Sequence, residues 1–134
     1  MIRLYQQIES TEPRLYPIKN ELMTFPGGEP HVKLDMKSIV TSSSLPKAYP
    51  DAAGGGRFLI DARVANMNDF GRLLVMADAV RRLDPLFVEL FIPYFPGARQ
   101  DRAQEGEALT AKVFADIINL CRFDRVTVVD PHSD

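Results

Sequence analysis

The chain has 134 residues, enough for one domain with a single apolar core and too few for two full lobes. With 46% hydrophobic and 25% charged residues, it has the composition of a globular protein, which excludes a disordered or fibrous chain. The formal net charge of −2 excludes a general electrostatic attraction to nucleic acid or to an anionic membrane surface, so we expect neither as a partner.

The first third of the chain is predicted to form short strands and turns. Alternating apolar and polar residues predict strands that begin at Ile2 and at Arg14, and another at residues 31–36. The last of these follows a turn at residues 25–30, which is rich in proline and glycine. Residues 42–56, rich in Ser, Pro, Ala and Gly, are predicted to form a surface loop.

The rest of the chain predicts the order strand, helix, strand, helix, strand. The strands are expected at residues 58–64, 86–92 and 125–129, and the middle one is apolar enough to be covered on both faces. The first helix is expected to begin after an N-cap at Asn66, Asn68 or Asp69. In the second helix, these apolar residues recur on one face: Leu109, Val113, Ile117, Leu120 and Cys121.

This order predicts an α/β fold in three layers, with a mostly parallel sheet flanked by helices and an amino-terminal strand and turn region. Parallel strands bring their carboxyl ends to one edge of the sheet. Three polar loops, at residues 65–69, 93–102 and 130–134, are therefore expected to meet there. Any binding site is expected on that edge.

The loop after the middle strand contains the run Ala98-Arg99-Gln100-Asp101-Arg102. The guanidinium groups of arginine present planar forks of donors that suit phosphate oxygens, and an amide can donate or accept beside them. The composition therefore suits an anion. The alternative is a solvated loop whose arginines pair with nearby carboxylates, as structural ion pairs commonly do.

The last predicted strand is followed by Asp130-Pro131-His132-Ser133-Asp134. Carboxylates with one imidazole suit a divalent cation such as Mg²⁺, which keeps several waters and is completed by nucleotide phosphates. A polar chain end that binds nothing is the alternative.

The remaining titratable candidates have simpler interpretations. His31 lies alone on the polar side of its strand and is expected to face solvent. Cys121 is the single cysteine, so it cannot form an internal disulfide, and it is predicted to be an unreactive core residue. No signal peptide or membrane-length apolar run is visible in the sequence, and we expect a cytoplasmic protein with no membrane partner.

Several motifs, in this order along the chain, resemble the ribose-phosphate pyrophosphokinase family, also called phosphoribosyl pyrophosphate synthetases. They are Asn-Met-Asn-Asp at residues 66–69, Ile-Pro-Tyr-Phe-Pro-Gly-Ala-Arg-Gln-Asp-Arg at 92–102, Leu-Thr-Ala-Lys at 109–112 and Val-Asp-Pro-His at 129–132. The turn Phe25-Pro26-Gly27-Gly28-Glu29 is similar to the family's Phe-x-Asp-Gly-Glu element, with Gly27 where the family usually has Asp.

The resemblance implies a phosphoribosyltransferase-like fold and an enzyme of nucleotide biosynthesis. Such an enzyme transfers the diphosphoryl group of ATP to ribose 5-phosphate, which gives 5-phosphoribosyl 1-diphosphate and AMP and requires Mg²⁺. The residues that the resemblance assigns to ATP are Phe25, Glu29, Arg99, Gln100 and Asp101, and those assigned to the metal are His132 and, by its place in the same motif, Asp130. Phe25 and Glu29 would reach the adenine bound to a neighbouring subunit, which implies a homo-oligomer.

Members of the family are roughly twice this length, as expected for two domains of this kind. Residues 1–134 therefore resemble the amino-terminal, ATP-side domain, without the carboxy-terminal domain that binds ribose 5-phosphate. We expect this chain alone to be inactive. The alternative is a non-catalytic regulatory or assembly subunit related to the synthetase.

Overall fold

The computed structural model describes residues 1–8, 14–40 and 56–132. Within them, the chain forms a five-stranded sheet, a two-stranded sheet and two α-helices, with a short 3-10 helix at Met36–Ser38. The strands are β1 (Ile2–Ile8), β2 (Arg14–Pro17), β3 (Asn20–Thr24), β4 (Pro30–Leu34), β5 (Arg57–Ala62), β6 (Phe87–Tyr94) and β7 (Arg125–Asp130), and the helices are α1 (Met67–Arg81) and α2 (Thr110–Leu120).

The larger sheet has the strand order β2-β1-β5-β6-β7. β5, β6 and β7 run parallel to one another, as predicted, and β1 and β2 add to them as antiparallel strands. The helices α1 and α2 connect the parallel strands. The predicted mixed α/β fold is therefore confirmed, and the strand and turn region at the amino terminus extends its sheet.

Strand alternation explains where the core lies. The residues of β5 and β6 that are almost fully buried lie at every second position, on one face of the sheet. They are Phe58, Ile60, Ala62, Val88, Leu90 and Ile92. In α1 the buried residues recur at helical spacing and meet this face; they are Phe70, Leu73, Met76, Ala77 and Val80.

Both helices lie on this same face, because the two crossovers advance in the same direction across the sheet. Phe114 of α2 contacts Phe70 of α1 edge to face, with ring centroids 4.8 Å apart. Neither helix lies on the opposite face, where Phe87 and Phe91 are half-buried. In the described part of the chain, β6 is therefore fully covered on one face, whereas the sequence predicted cover on both. The described sheet and helices form two layers, and not the three layers predicted, because both crossovers pass over the same face.

The strand β3 was not predicted from the sequence. It pairs with β4 as an antiparallel hairpin across the turn at residues 25–29. Both strands are only partly buried, and their apolar residues, such as Val32, pack against the side of α1. β4 also ends at Leu34 instead of Met36, because the carboxylate of Asp35 accepts a hydrogen bond from the backbone of Lys37 and begins the 3-10 helix.

β6 extends to Tyr94, although the sequence predicted that Pro93 would end it. Its pairing with β5 stops at Phe91, while its pairing with β7 continues to Tyr94. Proline lacks a backbone N–H and is tolerated where a strand has an open side. Pro93 lies beyond the last residue paired with β5, so its missing donor leaves no bond to that strand unmade.

The predicted apolar face of α2 is partly wrong. Val113 is 51% exposed and Leu120 is 78% exposed, while Phe114 and Ile118 pack against the core. Apolar residues occur around most of this helix, so their spacing did not determine which side meets the sheet. The predicted loop at residues 42–56 lies outside the described residues except for Gly56.

No helix in the described part of the chain is both long and apolar enough to cross a membrane.

A buried glutamine ties β1 to the segment after the 3-10 helix. Gln6 is 2% exposed and is the one polar side chain among the fully buried residues described. Its Nε2 donates to the carbonyl oxygen of Val40 at 2.9 Å, and its Oε1 accepts from the backbone N–H of Val40 at 2.8 Å. The amide thus replaces a strand partner for Val40, and both of its polar atoms are satisfied.

Replacing Gln6 with leucine should lower the free energy of unfolding by about 1–3 kcal/mol, because both backbone groups of Val40 lose their partners. Urea unfolding followed by circular dichroism measures the change. Gln7→Leu is the matched control, since Gln7 lies on the opposite, half-buried face, and should stay within about 0.5 kcal/mol of the unsubstituted chain. Equal losses in the two variants would contradict the importance of the Val40 contacts.

Candidate functional site

The carboxyl ends of β5, β6 and β7 lie along one edge of the sheet, and polar loops follow each of them. Tyr94 at the end of β6 is aligned with Asp130 at the end of β7. The loop that contains Arg99 and the residues that follow Asp130 therefore leave neighbouring strands at the same edge. This arrangement agrees with the topological argument from the sequence.

The loop after β6 is folded by its own backbone hydrogen bonds. The N–H of Ala98 donates to the carbonyl oxygen of Phe95 at 3.1 Å, and the N–H of Gln100 donates to that of Gly97 at 2.8 Å. Ala98 is 3% exposed, which anchors the turn in the core. The Arg99 and Gln100 side chains that follow are exposed to solvent.

Gly97 allows this turn to approach α2 closely. Its φ of 73° lies in the left-handed region, which side chains with a β-carbon rarely adopt. A β-carbon at this position would lie 3.0 Å from Cδ2 of Phe114 and 3.0 Å from Cγ2 of Thr110. Glycine is therefore required at position 97 by both its conformation and the space available.

The same loop caps the helix that follows it. Leu109, at the N-cap of α2, makes no side-chain capping bond. Instead, the carbonyl oxygen of Gln100 accepts a hydrogen bond from the backbone N–H of Ala111 at 3.1 Å. The neighbouring side chains thus lie beside the positive end of the α2 dipole, which favours an anion there.

Among the three residues predicted to contact ATP in this loop, Arg99 and Gln100 are exposed and Asp101 is half-buried. Asp101 takes part in a polar interaction within the chain. Exposed guanidinium and amide donors beside a helix N-terminus can donate hydrogen bonds to phosphate oxygens.

Asp130 and His132 form a tight turn at the end of β7. The N–H of His132 donates to Oδ1 of Asp130 at 2.9 Å, and His132 has a left-handed φ of 76°. Both residues are exposed. In the part of the chain that the structure describes, no group of three or more His, Cys, Asp or Glu side chains could hold a metal ion by itself. A carboxylate and an imidazole are both groups that can ligate a divalent cation.

The N-terminus of α1 lies at the same edge but is occupied by structural bonds. Oδ1 of Asn66 accepts from the N–H of Asp69 at 3.0 Å, and Oδ2 of Asp69 accepts from the N–H of Ala65 at 3.2 Å. The bond that Asn66 accepts confirms this residue as the N-cap, and the Asp69 carboxylate also holds the residue before it. Asp69 also pairs with Arg72 at 3.7 Å, so these polar residues stabilise the helix.

Phe25 and Glu29 lie in a separate element, the turn between β3 and β4. Pro30, directly after this turn, packs against Gly71 of α1, where a β-carbon would lie 3.2 Å from Cγ of the proline. Phe25 is 50% exposed and Glu29 is also exposed. The structure thus brings together the strand ends that lead to Arg99 and His132. It places Phe25 and Glu29 elsewhere, on the hairpin of β3 and β4.

At the opposite edge of the sheet, where the parallel strands begin, the carboxylate of Asp124 makes structural contacts. Oδ2 of Asp124 accepts from the backbone N–H of Val88 at 2.7 Å and pairs with Arg81 at 3.3 Å. Cys121 is half-buried, and burial raises the pKa of its thiol. A raised pKa lowers the thiolate fraction, which supports the prediction that this cysteine is unreactive.

Tyr94 is a residue at the site edge that sequence reasoning did not select. It is 41% exposed, and its alignment with Asp130 puts it where the two polar loops leave β6 and β7. The sequence placed it in a loop because Pro93 was expected to end the strand. Only the pairing of β6 with β7 indicates its position.

Comparison with known proteins identifies related sequences. The family model for the N-terminal domain of ribose phosphate pyrophosphokinase matches residues 50–121. A ribose-phosphate pyrophosphokinase of Rhodopirellula baltica is 35% identical over 121 residues, which cover 89% of this chain and 34% of that protein. One from a Marinomonas species is 45% identical over 80 residues, which cover 58% of this chain and 25% of that protein.

A solved structure has the same fold. The crystal structure of phosphoribosylpyrophosphate synthetase from Mycobacterium smegmatis superposes with a TM-score of 0.65 at 24% identity, over 87% of this chain and 35% of that one. The fold is therefore a mixed α/β domain of the kind found in that synthetase. By its sequence, the chain belongs to the ribose-phosphate pyrophosphokinase family and matches the N-terminal domain. It spans between 25% and 34% of the length of the two relatives described above.

The contact of Gly97 with α2 predicts a measurable difference between two glycines. Gly97 and Gly106 both have a positive φ, but a β-carbon at Gly106 would have nothing within 4 Å. Alanine in the left-handed region costs about 1–2 kcal/mol at either position. Because Gly97→Ala must also displace Phe114 or Thr110, it should lower the free energy of unfolding by about 1–3 kcal/mol more than Gly106→Ala. Paired urea unfolding curves measure this difference, and equal curves would contradict the close packing.

Proposed function

We propose that this chain is the ATP-side part of a ribose-phosphate diphosphokinase. The proposed reaction transfers the diphosphoryl group of ATP to ribose 5-phosphate, with 5-phosphoribosyl 1-diphosphate and AMP as products. The observation that carries the proposal is the loop with Arg99 and Gln100, which is held at the N-terminus of α2 beside the end of β7. Membership of the family supports the same reaction.

Diphosphoryl transfer needs in-line positioning and neutralisation of charge more than covalent help from the protein. In this proposal the guanidinium of Arg99 donates to phosphate oxygens of ATP, and the amide of Gln100 orients them. Asp101, which takes part in a polar interaction within the chain, is proposed to belong to the same ATP site. The positive end of α2 adds to the attraction at the same place.

We propose that Mg²⁺ accompanies ATP at Asp130 and His132. Oδ1 of Asp130 accepts a hydrogen bond from the N–H of His132, which restricts the rotation of this carboxylate. When bound, the ion would neutralise part of the triphosphate charge. Two exposed donors suit a hydrated ion shared with phosphates, as the chemistry of Mg²⁺ favours.

The hairpin turn is proposed to serve the adenine of ATP bound to a neighbouring subunit, so the working form would be a homo-oligomer. Phe25 offers an exposed aromatic ring and Glu29 an exposed carboxylate. Gly27 replaces the Asp usual in this element of the family. The two carboxylate oxygens of Glu29 lie 2.6 and 2.7 Å from the position of a β-carbon at Gly27, so Glu29 occupies the space beside this residue.

Ribose 5-phosphate is proposed to bind mainly to a part of the enzyme outside these residues, because the chain spans only 25% to 34% of two of its relatives. We therefore propose that this chain alone does not complete the reaction. A cytoplasmic location is part of the same proposal, because a single cysteine, which cannot form an internal disulfide, suits a reducing compartment.

Arg99→Ala should weaken the binding of ATP in the presence of Mg²⁺ by about 10- to 100-fold, because it removes a charge-assisted hydrogen bond worth about 1.5–3 kcal/mol. Isothermal titration calorimetry on the chain measures the change. Arg82→Ala is the control of equal charge, since Arg82 pairs with Asp78 at 2.7 Å at the far end of α1, and it should bind ATP normally.

Equal losses in the two variants would indicate a general charge effect and remove Arg99 from the site. If the unsubstituted chain binds no ATP but assembles with a full-length synthetase, the chain is better explained as a non-catalytic regulatory or assembly subunit.

Asp130→Asn should reduce the gain in ATP affinity that Mg²⁺ provides, by roughly tenfold or more, while affinity in EDTA stays unchanged. Asparagine keeps an oxygen for the N–H of His132, so the turn should persist. Asp84→Asn is the control, because Asp84 is an exposed aspartate with a left-handed φ of 53° far from this edge. An unchanged dependence on Mg²⁺ in Asp130→Asn would place the ion elsewhere.

A further inference from the structure

His31 contacts the exposed ring of Phe25. The ring centroids of Phe25 and His31 are 5.7 Å apart, and the ring planes are tilted by 35°. His31 lies in β4, where it is paired with Met23 of β3, so its backbone belongs to a regular hairpin. The sequence predicted only that His31 faces solvent, and this ring contact was not expected.

Hydrogen bonds fix the backbone of the turn at residues 25–29, but they do not fix the side chain of Phe25. The N–H of Phe25 donates to the carbonyl oxygen of Glu29 at 2.9 Å, and the N–H of Gly28 donates to that of Phe25 at 2.8 Å. Neither bond restricts the ring, which is 50% exposed. An exposed side chain with free rotamers loses entropy when a ligand orders it, and an existing contact reduces this cost.

His31 supplies such a contact from β4, and half of the Phe25 side chain remains exposed beside it. Aromatic pairs in offset or tilted geometry attract each other beyond their simple burial. The carboxylate of Glu29 is placed differently, over the backbone of Gly27. The element thus presents an aromatic face held by a second ring, with one carboxylate nearby, an arrangement that suits a planar base with a polar edge.

We propose that His31 is a positioning residue that orients Phe25 for stacking on the adenine of ATP bound to a neighbouring subunit of the homo-oligomer. This inference rests on the proposed function. His31 acts through the Phe25 ring and makes no polar contact with the nucleotide. A different aromatic ring at position 31 should therefore serve as well.

The test compares His31→Ala and His31→Phe with the unsubstituted chain. Affinity for ATP with Mg²⁺ is measured by calorimetry, and ring-proton shifts of Phe25 are followed by NMR during the same titration. His31→Ala should weaken binding by about 3- to 10-fold and reduce the shift of the Phe25 ring, and His31→Phe should restore both. Thr24→Ala, at an exposed neutral residue beside the turn, is the control and should change neither.

The outcomes separate this inference from the proposed function. Unchanged affinity in His31→Ala, with ATP still bound and still dependent on Arg99, overturns the role of His31 and leaves the proposed function in place. Weaker binding that His31→Phe fails to restore also overturns it, because His31 would then act through its nitrogen atoms. If the unsubstituted chain binds no ATP, both the proposed function and this inference are lost.

Discussion

The parallel pairing of β6 with β7 determines where the polar residues of this chain lie. Because Tyr94 is aligned with Asp130, the two strands end together and their following loops leave the sheet side by side. Two adjacent parallel strands end at the same edge of the sheet because they run in the same direction. A change in this alignment would separate the cationic loop from the acidic strand end, and the proposed ATP site would not exist.

Backbone contacts then give the cationic loop its shape. Gly97 lets the turn lie against α2, and the carbonyl oxygen of Gln100 receives the N–H of Ala111. The loop therefore caps the helix that follows it, and its exposed side chains need not take part in folding. This division leaves Arg99 available for a ligand, in contrast to Asp124 at the opposite edge, whose carboxylate is committed to Val88 and Arg81.

The hairpin of β3 and β4 shows how a marginal element becomes ordered. A two-stranded hairpin has little stability by itself in water. Here its inner residues pack against α1, and Pro30 contacts Gly71. The turn at residues 25–29 is thereby attached to the same helix whose N-terminus lies at the site edge, although it would serve a different nucleotide in an oligomer.

The sequence by itself determined the elements whose signal is local. Alternation located β5 and β7, the cap residue Asn66 located the start of α1, and the motifs at residues 92–102 and 129–132 indicated the family. Tertiary structure decided the rest. It decided that Pro93 remains in β6, because the pairing with β5 has already ended, and that Phe114 and Ile118 face the core instead of Val113 and Leu120. It also brought His31 to Phe25 and Gln100 to Ala111. These contacts join residues from different elements, and a periodic pattern within one segment holds no information about which neighbour that segment will meet.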